Sequence, residues 1–281
     1  MWASSSLLWL WSAAAHAGAC CVGTTTGVPG RLGPLEHVLV GGDVGGEFAV
    51  ARWRADRSVG AASPRDEALA LQLGVGVRLT RAFQLVLSAP LRADFRQASG
   101  ISDRGVGFGD VGLTSFWMVG WEGHRAQDHA GAPAVSIVLG TRFPTGRSWL
   151  ESDSPLLADV TGRPGVGLRA GLIVERTLGS HPWYVQLDSD VPVPSGSPLI
   201  SGSVGVGQYF GTKWTLMGSA SWQHTFGAAD TERTTLAVRL IRGERLRWRA
   251  WGLVAADLPI PGVGMENPVN LSISAGAAWV H

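Results

Sequence analysis

Within this 281-residue chain, Arg78, Arg92, Arg142, Arg169, Lys213, Arg239, Arg247 and Arg249 recur on the polar parity of segments whose other parity is apolar. Asp94, Asp110, Glu175, Asp188, Asp190 and Asp257 recur there with them. Side chains two apart along a strand share a face, so these ions would gather on one side of a sheet. Eight cations against six anions are close to balance. Such a set can line a water-filled path whose charged rings select solutes, or it can hold a narrow interior shut by ion pairs. The pattern leaves both readings open.

Catalytic chemistry finds less support. A nucleophilic Ser needs a His base and an orienting polar group within hydrogen-bond reach. His224 shares the parity of Trp222 and Phe226, while Ser219 and Ser221 lie on the opposite parity of the same segment, so they do not meet as neighbours. His281 stands at the terminus without an evident partner, and His124 and His129 are five apart in a connecting stretch. The chain has neither a Gly-x-Ser-x-Gly elbow nor a His-x-x-x-His pair. In RSWLESDSPLLADVTG (147–162), Glu151, Asp153 and Asp159 lack the regular ligand spacing of a calcium loop. That stretch either folds into a mouth as a constriction or stays in solvent. No catalytic residue, metal site or cofactor is expected.

These ions need elements to carry them, and GFGDVGLTSFW (107–117) shows the kind. Gly107, Gly109, Val111, Leu113, Ser115 and Trp117 take one parity and Phe108, Asp110, Gly112, Thr114 and Phe116 the other, which predicts a strand with one apolar and one mixed face. The same alternation runs through 69–79, 83–95, 135–143, 166–174, 183–191 and 271–279, and a helical period fits none of these segments. Twelve strands are predicted, at 46–56, 67–80, 81–95, 107–121, 133–144, 163–177, 182–192, 199–210, 213–226, 233–242, 246–258 and 268–281. The first is the least regular, because Arg52 and Arg54 share a face with Phe48 and Val50. Glycines at 107, 109, 112, 165, 167, 205 and 207 would ease strong coiling or make room for bulky neighbours.

Connections sort by length. The odd-numbered links (57–66, 96–106, 145–162, 193–198, 227–232 and 259–267) are long, whereas the even-numbered ones (80–81, 178–181, 211–212 and 243–245) are short, with 122–132 the exception. One long-loop end and one tight-turn end are the habit of outer-membrane barrels, and a soluble sandwich has no need of them. Phe83, Trp121, Trp183, Phe210, Trp214, Trp248 and Trp279 lie near the tight-turn end on the apolar parity, with Phe95, Phe143 and Phe226 at the other end. Aromatic rings collect in this way at membrane interfaces. Charged residues make up 16% of the chain, low against roughly 25% in soluble proteins. A net charge of +1 argues against a basic nucleic-acid footprint. No apolar run reaches the ~18 residues of a helical span, so membrane residence would be by barrel or by anchor. The predicted fold is all-β: a transmembrane antiparallel β-barrel of about 12 strands, apolar toward lipid and mixed toward the lumen, with no edge left unpaired in hydrocarbon. Asp110 is expected to point inward.

The N-terminus, MWASSSLLWLWSAAAHAGACC, reads as a secretory signal with an apolar core at 7–15 and an exit at Ala15-His16-Ala17 or Ala17-Gly18-Ala19, though no Lys or Arg precedes the core. The chain then divides into a signal peptide (1–19), an N-terminal periplasmic segment (20–45) and the barrel (46–281). Cys20 and Cys21 are its only cysteines, and adjacent cysteines rarely pair, so a disulfide framework is excluded. Lipid attachment at Cys20 stays open, without the usual Leu three positions before it.

GFGDVGLTSFW followed by LGTRFPTG (139–146) resembles a signature pair of the outer-membrane barrels grouped as transporters of the meta-pathway of phenol degradation. Those carry a Gly-x-Gly-Asp strand start, matched here by Gly107, Gly109 and Asp110, and one strand later a Pro-Thr-Gly strand end, matched by Pro144, Thr145 and Gly146. The similarity covers most of the chain after residue 45. Such barrels usually end in Phe or Trp, whereas this chain ends Trp279-Val280-His281. The resemblance implies a barrel of transport role, and it alone suggests aromatic or hydrophobic solutes. A bacterial outer membrane is the expected location, with outer-membrane lipid and a small-molecule solute as partners. The residues expected to line the path are Arg78, Arg92, Asp94, Asp110, Arg142, Arg169, Glu175, Asp188, Asp190, Arg239, Arg247 and Arg249. A structural or adhesive barrel without an open pore and an outer-membrane lipolytic barrel are the rival classes.

Overall fold

The computed structural model describes residues 32, 36–53, 59–61, 65–98, 100–119, 133–148, 150–194, 196–211, 214–226, 231–243, 247–258 and 268–281. The expected signal at 1–19, both cysteines, Trp121, His124, His129 and Lys213 lie outside them. Among the described residues there are fourteen strands: β1 (Val38–Trp53), β2 (Val59–Ala61), β3 (Arg65–Arg78), β4 (Phe83–Ala98), β5 (Ile101–Phe108), β6 (Val111–Val119), β7 (Ala134–Phe143), β8 (Val166–Leu178), β9 (His181–Val193), β10 (Leu199–Phe210), β11 (Trp214–Thr225), β12 (Thr231–Arg242), β13 (Trp248–Leu258) and β14 (Pro268–Val280). Neighbours in the sheet pair antiparallel, and β14 pairs back onto β1 from Leu39↔Val280 to Arg52↔Pro268, which closes the sheet. The wall has twelve staves. β2 is a short addition beside β1, and β5 and β6 pair with the two halves of β4 as one interrupted stave.

Alternation explains which side chains face where. Val40, Val44, Leu73, Leu87, Leu139, Leu172, Leu187, Val204, Leu236 and Val254 are exposed on the outer face, while Asp43, Gln84, Asp94, Ser136, Asp188 and Asp257 are buried within. A closed sheet that is apolar outside and polar inside is the build of a bacterial outer-membrane barrel. Of the rings expected near the tight turns, Phe210, Trp214 and Trp248 are exposed on the outside and Phe83, Trp183 and Trp279 half-buried. Phe95, Phe143 and Phe226 are exposed at the other end. His281 does have a partner: its ring stacks on Trp279 at 5.7 Å, and its backbone N–H donates to Val38 O at 2.9 Å across the seam.

Two strand boundaries need correction. β1 starts at Val38, so residues 38–45, expected to precede the barrel, are part of its wall. Four glycines, at 41, 42, 45 and 46, dilute the alternation there, yet Leu39 and Asp43 still face in and Val40 and Val44 out. The strand expected at 107–121 begins at Ile101, inside what reads as a long link. Its parity also changes partway. Leu91 pairs with Phe108 and Ser88 with Gly112, so residues 89–90 of β4 oppose residues 109–111, which is a β-bulge of one extra residue. Consequently Phe108, expected on the mixed face, points outward at 70% exposure, and Gly107 points inward. Asp110, after the bulge, points inward as expected.

The interior is layered. Toward the tight turns it is filled by Leu39, Val86, Phe116, Met118, Val138, Ile173, Tyr184, Met217 and Ile241, with Trp251 packed among them. Leu32, wholly buried, completes this floor. Gln84 grips it at both ends, accepting from Leu32 N at 2.9 Å and donating to Leu32 O at 3.2 Å. Ions and hydroxyls occupy the half toward the long loops.

Candidate functional site: the mouth of the lumen

Asp110 sits where the bulge turns the wall strand inward, and its carboxylate is almost surrounded by donors. Oδ2 accepts from Arg142 Nη1 at 2.7 Å and from Arg163 N at 2.8 Å, while Oδ1 accepts from Gly146 N at 3.1 Å. Gly146 and Arg163 are the two ends of the long stretch between β7 and β8, so one carboxylate ties both. Thr145 completes the clasp, donating through Oγ1 to Gly109 O at 2.8 Å and accepting from Val111 N at 2.9 Å. Thr161 Oγ1 donates to Phe108 O at 2.6 Å. The Gly-x-Gly-Asp and Pro-Thr-Gly motifs thus hold each other. A carboxylate that accepts three charge-assisted or backbone hydrogen bonds in a half-buried place is a strong anchor.

Between those ends the chain packs on the inner face of β4 and β5. Arg96 Nη1 donates to Leu156 O and Leu157 O, each at 3.0 Å, and Asp103 accepts from Leu156 N at 3.0 Å and from the Ser154 hydroxyl. Gly105 lies directly beneath. A Cβ there would come within 2.4 Å of Ala158 O, so the approach of backbone to wall requires glycine. Of the two arrangements open for this stretch, the folded one is observed. Its acids are engaged by the stretch itself: Arg147 reaches Asp153 at 2.7 Å and Asp159 at 2.8 Å, and Glu151 accepts from Ser148 N at 3.0 Å. The Ser148 amide holds the Glu151 carboxyl below its usual range, and the Ser152 hydroxyl does the same for Asp159.

The remaining sequence-identified ions fall into three places. In the mouth, Arg142 also reaches Asp190 at 3.4 Å, Arg169 pairs with Asp188 at 3.0 Å, and Arg92 pairs with Asp94 at 2.7 Å along its own strand. At the floor, Arg78 donates to the carbonyls of Leu32, Glu36 and Arg81, Arg249 pairs with Glu36, and Glu175 is buried. Arg239 faces inward between the two. Arg247, expected inside, lies exposed ahead of β13, because the strand begins one residue later and the turn lifts it out of the alternation. One cluster was missed. Arg233 bridges Asp257 at 2.8 Å and Glu47 at 2.7 Å, and Thr235 donates to Asp257 at 2.7 Å. Arg233 shares the parity of Arg239, and that signal was sufficient to find it.

Beside the clasp, a cavity of ≈ 260 Å³ opens against β8–β11, lined by Arg163, Arg169, Gln186, Asp188, Ser203 and Ser221 among others. His224 faces the other way. It stacks on Trp222 and meets Phe226 edge-on at the outer surface, 3.5 Å from Glu232, with Ser219 and Ser221 on the inner face of the same strand.

No family model and no curated protein matches the chain. Solved structures do. The COG4313 outer membrane channel from Pseudomonas putida F1 superposes with a TM-score of 0.67 at 12% identity, over 88% of this chain and 96% of that one. The NanC porin gives 0.53 at 10%, over 85% and 98%, and the translocator domain of the autotransporter NalP from Neisseria meningitidis gives 0.52 at 9%, over 86% and 88%. At these identities the likeness is one of fold.

Proposed function

We propose that this barrel, with lipid against its outer face, passes small molecules across a bacterial outer membrane, through the gap between the clasped segment on β4–β7 and the polar wall on β8–β11. The observation that carries this is the cavity of ≈ 260 Å³ in an inward-facing wall of ions and hydroxyls. Charged and hydroxylated linings at a constriction select what enters by size and by hydrogen bonding. Arg142, Asp110, Asp190, Arg169 and Asp188 are the residues we assign to this lining, with Arg92 and Asp94 beside them. An aromatic or hydrophobic cargo is suggested by the resemblance to the phenol meta-pathway barrels alone, and the wall of the mouth itself is polar. Export would rest on residues 1–19.

A second reading has its own support. Leu32 and the side chains around it fill the tight-turn end, which suits a barrel that keeps its pore closed. Conductance of the purified protein in planar bilayers separates the two. Discrete current steps carry the transport reading, and a silent but intact barrel replaces it with the structural one. Phospholipid turnover that disappears in His224→Ala would instead establish the lipolytic class.

A further inference from the structure

The cavity wall on β9–β11 has a regularity that bears on the solute. In the observed register Gln186 pairs with Ser203, and Ser203 with Ser221. One step nearer the mouth, Asp188 pairs with Ser201, and Ser201 with Gln223. All six side chains face inward, in two rows of three. Strand spacing separates the members of a row by about 4.8 Å, and the rows lie roughly 6.8 Å apart, two residues along the strand. This is a grid of donors and acceptors on the scale of one sugar ring.

Within the grid only Gln186 and Asp188 meet, the Gln186 Nε2 donating to the Asp188 carboxylate. Among the described residues Ser201, Ser203, Ser221 and Gln223 make no side-chain hydrogen bond, and Gln186, only 5% exposed, has an Oε1 that accepts none. Buried polar groups without partners are uncommon unless a water or a ligand completes them. Beside the grid Arg169 lies 3.0 Å from Asp188, so a guanidinium and a carboxylate present donors and acceptors side by side. Adjacent hydroxyls satisfy that pair, each donating to the carboxylate while accepting from the guanidinium. Charge narrows the choice. An anion meets Asp188 and Asp190, a cation meets Arg163 and Arg169, and an apolar ring strips water from serines it cannot replace.

We infer that this wall is a binding site for a neutral, polyhydroxylated solute of about monosaccharide size. The inference rests on the transport reading for its physiological use, but binding itself does not need an open pore.

The test is equilibrium binding of glucose to the full-length barrel in detergent, by saturation-transfer NMR, with glucuronate and phenol as comparison probes and bilayer conductance measured separately. Glucose is expected to bind, and Ser203→Ala combined with Ser221→Ala is expected to weaken it at least tenfold. Ser115→Ala, an outward-facing hydroxyl bonded to Leu139 O, is expected to leave it unchanged. Heat-modifiable migration confirms that each variant folds. Glucose that fails to bind, binding indifferent to the double variant, or phenol binding more tightly at the same residues overturns the inference. A silent bilayer with intact glucose binding supports it and removes only the transport reading.

Discussion

Asp110 carries more hydrogen bonds than a lumen-lining carboxylate needs, and its neighbours say why. It is 7% exposed in its side chain, and Arg142, its partner at 2.7 Å, is 16% exposed. Removing one member of a largely buried pair strands the other, which typically costs 3–5 kcal/mol. Asp110→Ala is therefore expected to lower folding stability by about 3 kcal/mol in a urea titration, and Asp110→Asn by less, since its amide oxygen still accepts one of the three donors. Equal losses in the two variants would mean that the charge, and not the hydrogen-bond geometry, holds the clasp. Gly105 makes a second residue-level test. Gly105→Val drives a side chain into Ala158 O and is expected to push the 147–162 segment off the wall, seen as faster protease cleavage within it while the barrel stays folded.

The segment between β7 and β8 behaves as an element in its own right, since its acids pair inside it and its ends meet at one carboxylate. Glu151 and Asp159 have lowered values, so they contribute stability above the ordinary carboxylate range and lose it as pH falls through their lowered ones. Pepsin cleavage within 147–162 is thus expected to rise as pH is lowered from the ordinary carboxylate range through the lowered values of Glu151 and Asp159, with the remaining barrel resistant. Cleavage that is flat across that interval would show that these carboxylates do not hold the segment. The wall strands answer to a different solvent. Leu139 is 54% exposed on the outer face of β7, next to inward Gly140 and Val138. Leu139→Arg is expected to cost roughly 2–4 kcal/mol of folding free energy in lipid vesicles, because the charge would enter hydrocarbon. A neutral result would mean that this face is wet.

At the scale of the whole molecule, closure is what removes the sheet's edges, and the β1–β14 seam is where it happens. Gly41 lies on that seam, where a Cβ would meet Ala278 Cβ at 2.6 Å. The wild-type barrel is expected to migrate heat-modifiably on gels and Gly41→Val to lose that behaviour; migration equal in the two would place the seam elsewhere. The seam strand is also where the sequence was hardest to follow, since glycines interrupt the alternation of residues 38–45. The bulge at 109–110 was harder still. One extra residue reverses parity upstream of Asp110 without any local sign, and this put Phe108 on the wrong face.

The sequence by itself determined antiparallel strands of outer-membrane build, because period-two alternation and the order of long and short links are written along the chain, whereas the wall closes through the β1–β14 pairing. It also marked Asp110 and the Pro-Thr-Gly turn as a pair. Only the tertiary structure decided what they do: Asp110 meets Arg142, Gly146 and Arg163 through the stagger of three wall strands and one bulge. The division of the lumen into an ion-paired mouth and a packed floor that buries Arg78, Glu175 and Arg249 among apolar side chains was likewise decided there. Height within a barrel depends on how far each strand is shifted along its neighbours, and parity does not record that shift.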